Sequence, residues 1–173
     1  MIRGKVYKFG NNINTDDIYP GRYLSITTDR QEMAKHCFEL AYPDFLKTAK
    51  PGDIIVAGKN FGCGSSREQA ATCLKYFGIS LVIAESFARI FYRNAINLGL
   101  PIMIAKEITQ KVEHNDILEV DLKRGVIKNT RTKEEIQGVP LPQFILEILD
   151  AGGLVPYLKK RLTSTEKGDI NEI

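Results

Sequence analysis

Three short apolar runs, DIIVA (53–57), SLVIA (80–84) and PIMIA (101–105), constrain the fold of this chain more than any other feature. Each is rich in β-branched or aliphatic residues, lacks polar alternation and is bounded by turn residues, the pattern of strands buried on both faces. Between them lie two segments with helical spacing. In the first, Ala70, Ala71, Leu74 and Phe77 share a face and Gly78 follows as a C-terminal cap; in the second, Phe87, Ile90, Phe91, Ala95 and Leu98 share a face and Gly99 ends it. Strand, helix, strand, helix, strand in that order favours parallel pairing with right-handed crossovers, because a parallel neighbour is reached only by crossing a face of the sheet.

The flanks are of different character. Lys5 to Phe9 reads as a short strand that runs into GNNINTDDIYPG, a long loop by its Gly, Asn, Asp and Pro content. Thr28 and Asp29 offer N-caps, with Gln31 and Glu32 placed for capping boxes, which predicts a short helix through Met33 to Phe38. Pro51-Gly52 is a turn. DILEVDL and VIKNT flank Lys123-Arg124-Gly125 as a hairpin, so the expected fold class is α/β with a mixed sheet, a parallel α/β core plus antiparallel strands. Pro140 and Pro142 precede an apolar helix around Phe144 to Leu149, and GGLVPYLKKRL adds one more segment. At 173 residues, 43% of them hydrophobic, one domain over 1–162 is expected, with a polar tail over 163–173 that frays.

Charge and cysteine usage exclude several classes. The 24 Lys and Arg against 21 Asp and Glu give +3, spread along the chain rather than gathered into a stripe, which disfavours nucleic acid. No apolar run approaches a membrane span and the first residues are not those of a secretory signal, so a cytoplasmic protein is expected. Cys37, Cys63 and Cys73 form no CxxC pair, and only His36 and His114 are present to help; the spacing supports neither a disulfide framework nor a metal site, and no metal is expected in this chain.

The stretch GKNFGCGSSREQA (58–70) follows the first of the buried strands. Gly58, Gly62 and Gly64 let the backbone turn sharply and approach a ligand, and a helix is expected to begin at once. The free N–H groups of its first turn, with Ser65, Ser66 and Arg67, would make a pocket for a carboxylate or phosphate. A nucleotide-binding loop fits poorly: Gly64 stands where a Walker lysine belongs, and Arg67 where a dinucleotide fingerprint has its third glycine. The competing reading is structural, with Ser65 or Ser66 capping the helix and Arg67 paired to a surface acid.

GCGSSRE, preceded by NTDDIYPGRYL and followed by SFARIFYRNAINLGLP, resembles the small subunits of isopropylmalate dehydratase and homoaconitase, and is similar to the last domain of aconitase. The three motifs stand in the family's order, and the resemblance covers roughly residues 1 to 162. It implies a swivelling β/β/α domain that closes over a large subunit bearing a [4Fe–4S] cluster, and a hydro-lyase active only as that pair, serving leucine biosynthesis. It also implies that Ser65 acts as an alkoxide base on a Cα proton, that Ser66 and Arg67 bind substrate carboxylate, and that the cluster iron is the Lewis acid for the departing hydroxyl. Thr15 and Asp16 fall on positions that support the active site, against the alternative of an Asx-turn; Asp17 replaces a histidine of aconitase and is read as structural.

Tyr23, Leu24, Ser25 and Ile26 correspond to the loop that in this family reads the substituent of the hydroxy acid. Homoaconitase-type subunits carry Arg after the Tyr-Leu pair, whereas this chain has Ser25 and then Ile26. An uncharged pocket favours the isopropyl group, at about 0.8 kcal/mol per buried CH₂, over an unpaired carboxylate. Isopropylmalate is thus the expected substrate; citramalate, dimethylmalate or a homoaconitase-type acid is the alternative, with Arg22 and Arg30 near enough in sequence to replace the missing Arg. A non-catalytic anion-binding module is the rival from another class. Arg89, Arg93, Asn94 and Asn97 are read as helix-face or backbone-satisfying residues rather than site residues.

Overall fold

The computed structural model describes residues 1–168. Among them the strands form one seven-stranded sheet in the order β4-β3-β2-β1-β5-β6-β7, centred on the first strand of the chain. Strand β1 (Ile2–Lys8) changes partner along its length. Its first half runs antiparallel to β5 (Ile117–Asp121), with Ile2 opposite Val120 and Lys5 opposite Ile117. Its second half runs parallel to β2 (Ile54–Ala57), with Val6 opposite Ile54 and Lys8 opposite Val56.

Beyond β2 lie β3 (Leu81–Ala84) and β4 (Ile102–Ile104), both parallel. Beyond β5 lie β6 (Val126–Asn129) and β7 (Glu135–Gln137), both antiparallel. The parallel core and the hairpin at Lys123-Arg124-Gly125 are as the sequence predicts. Strand β7 is not foreseen, since EIQ is too short and polar to stand out by pattern.

Apolar side chains pack on both faces of this sheet, which accounts for the unbroken hydrophobicity of its central strands. One face buries Val6, Ile54, Val56, Leu81, Ile83, Met103, Leu118 and Ile127 under Ile108 and Val112. The other buries Ile55, Ala57, Val82 and Ala84 against helices and an aromatic group. Helices α4 (Gln69–Phe77) and α5 (Arg89–Leu98) lie on that second face and end at Gly78 and Gly99, both left-handed as the cap requires. Phe9 stacks on Phe38 at 4.5 Å, with Tyr42 and Phe45 beside it. Each fully buried ring or aliphatic side chain here, such as Phe38 or Phe45, contributes about 1.5–3 kcal/mol relative to exposure.

Several local expectations are revised. The loop after β1 contains a one-turn helix, α1 (Thr15–Ile18), closed by a reciprocal capping box: Asp17 N–H donates to Asn14 Oδ1 at 2.8 Å and Asn14 N–H to Asp17 Oδ2 at 2.9 Å. Helix α2 (Arg30–Ala34) begins at the expected Asp29 cap but ends before the predicted Phe38. Phe38 instead adopts φ 56° and donates its N–H to Ile18 O at 2.8 Å, so that burying its ring outweighs continuing the helix. Short helices α3 (Phe45–Thr48) and α6 (Ile108–Lys111) are also unforeseen.

Helix α7 (Gln143–Asp150) matches its prediction, and α8 (Leu154–Gly168) follows it. The domain boundary expected at residue 162 falls inside α8, and residues 169–173 of the expected tail lie outside the described residues. No helix of the described residues is long and apolar enough to cross a membrane.

Candidate functional site

The C-terminal ends of β1, β2 and β3 open onto three loops that meet above the sheet, the position where open α/β sheets place ligands. The glycine-rich loop after β2 is laid along the loop after β1. Asn12 N–H donates to Lys59 O at 2.8 Å, Gly62 N–H to Ile13 O at 2.7 Å and Thr15 N–H to Cys63 O at 2.8 Å. Phe61 N–H donates to Ser86 O in the third loop at 3.0 Å. Gly62 has φ 77°, and a Cβ there would lie 2.2 Å from Phe91 Cγ, so the close pass of this loop over α5 requires glycine.

This lacing delivers Ser65 to Thr15. The two hydroxyl oxygens are 3.1 Å apart, and Ser65 N–H also donates to Thr15 Oγ1 at 3.1 Å. Thr15 is 2% exposed, whereas Ser65 is open to solvent. The Ser65 amide takes one lone pair of Thr15 Oγ1, and either hydroxyl can donate to the other; once Ser65 Oγ loses its proton, Thr15 is the donor that remains. Such a donor stabilises negative charge on the serine oxygen.

Arg67 and Asp16 form the second half of the site. The Arg67 guanidinium hydrogen-bonds and ion-pairs with Asp16 Oδ1, and the same oxygen accepts Gly21 N–H at 2.9 Å. Asp16 thereby ties the arginine to a 3-10 turn, Gly21–Tyr23, that opens the segment leading to Ile26. Ser66 is exposed, and its carbonyl accepts from Asn94 Nδ2 at 3.4 Å. Asn94 therefore satisfies backbone, as the sequence suggested, but the backbone is that of the site loop.

One part of the sequence reading is corrected: Ser65, Ser66 and Arg67 are not in the first turn of a helix. Helix α4 starts at Gln69 with Glu68 in the N-cap position and no side-chain cap bond, so neither serine caps it. The support visible for Ser65 is consequently the Thr15 hydroxyl rather than the end of the helix.

Of the four loop residues, Tyr23 and Leu24 pack against the core, while Ser25 and Ile26 are exposed, Ile26 at 68%. Arg30 is engaged elsewhere, donating to the Tyr76 hydroxyl at 2.8 Å, and the Arg22 guanidinium lies 5.4 Å from the Tyr23 ring centroid. Cys37 and Cys73 are buried; burial, and then the neighbouring Cys73 thiol, push the Cys37 thiol well above its ordinary pKa, which leaves it protonated and unreactive. Among the described residues no group of three or more His, Cys, Asp or Glu side chains could hold a metal ion, so the described residues offer no ligand set that fits an iron–sulfur cluster.

The profile of the family described as Aconitase C-terminal domain matches residues 5–107, more than half the chain and the whole of this site. The chain belongs to the aconitase C-terminal domain family. Its relatives within that family are narrower in kind. It is 58% identical over 166 residues to the isopropylmalate/citramalate isomerase small subunit of Methanocaldococcus jannaschii, covering 96% of this chain and 98% of the relative. It is 56% identical over 164 residues to the 3-isopropylmalate dehydratase small subunit of Aquifex aeolicus, covering 94% and 97%. A crystal structure of 3-isopropylmalate dehydratase from M. jannaschii superposes with a TM-score of 0.90 at 51% identity, covering 96% of this chain and 98% of that one. The mixed sheet with its parallel core is thus the architecture of this branch of the aconitase family.

Proposed function

We propose that this chain is the proton-transfer and carboxylate-binding half of a 3-isopropylmalate dehydratase, interconverting 2-isopropylmalate and 3-isopropylmalate through isopropylmaleate in leucine biosynthesis. The observation that carries the mechanism is the pairing of Ser65 with Thr15 beside the pairing of Arg67 with Asp16, two contacts that each join residues about fifty positions apart. Ser65 Oγ takes the Cα proton. A free hydroxyl is too weak an acid to act so near neutral pH, and the Thr15 donor and the Arg67 charge lower the cost of the alkoxide. One well-placed donor of this kind is worth about 2.7–4 kcal/mol in a transition state. Arg67, with Ser66, grips a substrate carboxylate, and Asp16 holds the guanidinium in place until the substrate arrives.

In this reading the partner is a large subunit, and the cluster resides there rather than on this chain. Everything contributed here is proton and anion chemistry, carried out in the cytoplasm on small hydroxy-dicarboxylic acids. Ser25 and Ile26 present no charge to the substituent, which supports an apolar side group. Citramalate is a second substrate on the same argument, since its smaller methyl group also needs no cation. The test is kcat/KM for 2-isopropylmalate, citramalate and a homocitrate-type acid on the chain assembled with its large subunit, in wild type and Ser65→Ala. Preference for the apolar substrates, abolished by Ser65→Ala, is the result expected; near-normal kcat in that variant would overturn the assignment of the base.

A further inference from the structure

Tyr23 is held by residues from a separate part of the chain. Its ring stacks on the His36 imidazole, with centroids 3.8 Å apart and planes 16° from parallel. A Glu39 carboxylate oxygen lies 2.8 Å from His36 Nδ1, and the same side chain interacts with the Tyr23 hydroxyl. The Tyr23 carbonyl accepts from the Tyr19 hydroxyl at 3.4 Å, and Tyr19 is fully buried. His36 and Glu39 sit in the turn after α2, whose course is fixed by buried Phe38 between them. Neither residue shares a hydrogen bond or ion pair with Ser65, Thr15, Arg67 or Asp16.

Tyr23 is the point at which the exposed stretch joins the core. Ile26 N–H donates to Tyr23 O at 3.1 Å, so a displacement of Tyr23 is carried by a backbone bond to Ile26. The contact with Tyr23, followed by that with His36, lowers the Glu39 pKa, and the reciprocal contact raises that of Tyr23. At neutral pH the carboxylate is therefore charged and the phenol keeps its proton.

We propose that His36 and Glu39 are positioning residues for substrate discrimination: by clamping Tyr23 they set the placement of Ser25 and Ile26, and so the choice among hydroxy acids. This rests on the reading of Tyr23–Ile26 as the specificity loop. The clamp acts on binding of the substituent and leaves proton transfer at Ser65 alone, which separates it from a role in catalysis or in general stability.

The experiment uses the chain assembled with its large subunit and steady-state kinetics on 2-isopropylmalate, citramalate and homocitrate. His36→Ala and Glu39→Ala are expected to raise KM for 2-isopropylmalate about tenfold with kcat within about twofold, and to narrow its preference over citramalate by a similar factor. His36→Phe, which keeps the stack, should restore KM to within about threefold of wild type. Tyr23→Phe removes only the hydroxyl contact and stays measurable if the alanine variants fail to assemble; its KM should rise about threefold with kcat intact.

Ser25→Arg, run in parallel, reports on the loop itself. Unchanged KM and preference in the His36, Glu39 and Tyr23 variants, with Ser25→Arg shifting preference, overturns the clamp and leaves the loop reading standing. No shift in Ser25→Arg removes the loop reading and the clamp with it. An equal loss of kcat on every substrate, with a lowered melting midpoint, shows a structural role and also overturns the proposal.

Discussion

The Ser65 and Thr15 hydroxyls sit 3.1 Å apart, one open and one buried, and this asymmetry divides their roles. Ser65→Ala should lower kcat at least about 10³-fold in the assembled enzyme without loss of assembly, since it removes the proposed base and no cap. Thr15→Val keeps the shape but deletes both the hydroxyl beside Ser65 Oγ and the acceptor of the Ser65 N–H, and kcat should fall about 10²-fold, with Thr15→Ser recovering most of it; equal activity in Val and Ser variants would show that the hydroxyl is idle. Arg67→Lys should raise KM about tenfold or more, because an ammonium cannot reproduce a planar two-point grip on a carboxylate. The motif GCGSSRE makes Ser65 and Arg67 legible in the sequence. The NTDD stretch adds Thr15 and Asp16 by resemblance. What neither motif shows is the pairing, Thr15 with Ser65 and Asp16 with Arg67 across about fifty residues, nor Glu39 beside Tyr23 with no motif around it, because such contacts depend on how separate loops are laid together.

Elements were readable in proportion to their apolar content. DIIVA, SLVIA and PIMIA announce strands because burial on both faces leaves no room for polar residues, and Gly78 and Gly99 announce where their helices stop. Helix α2 stops short of its predicted end because the ring of Phe38 finds the core better by leaving the helix, a tertiary reason that local pattern does not contain. The glycine-rich loop is the element under tightest steric control. Gly62→Ala combines an unfavourable left-handed backbone with a collision against Phe91, and should destabilise the chain by about 2–4 kcal/mol in urea unfolding. In the loop that ends at Ile26, Ser25→Arg should move preference toward tricarboxylic acids, read as the ratio of kcat/KM for homocitrate to that for 2-isopropylmalate.

On the scale of the whole molecule, the antiparallel half is fastened by Asp116. Its carboxylate is buried and accepts from Arg131 Nε at 2.5 Å, Asn129 Nδ2 at 2.7 Å and Glu113 N–H at 2.9 Å, which, Arg131 first, hold its pKa far below the usual carboxylate range. A depressed carboxylate stabilises the fold above the unfolded-state pKa of about 3.9 and loses that contribution as pH falls below it. Asp116→Asn should therefore lower unfolding free energy at pH 7 by about 1–3 kcal/mol, with the difference from wild type shrinking below about pH 4. On the proposed function, and with no set of metal ligands among the described residues, the isolated chain should bind no iron and show no dehydratase turnover until a large subunit is added under anaerobic conditions. Strand β1 stands at the centre of the sheet, joined to β5 by its first residues and to β2 by its last. Because β1 precedes both of its neighbours in the chain, its β5 edge must wait, unpaired, until Asp121 has been synthesised. A nascent chain halted before that point would carry an open sheet edge, and removing residues 2–8 would leave the two halves joined chiefly at the far side, where Val139 N–H donates to Ile104 O at 2.8 Å.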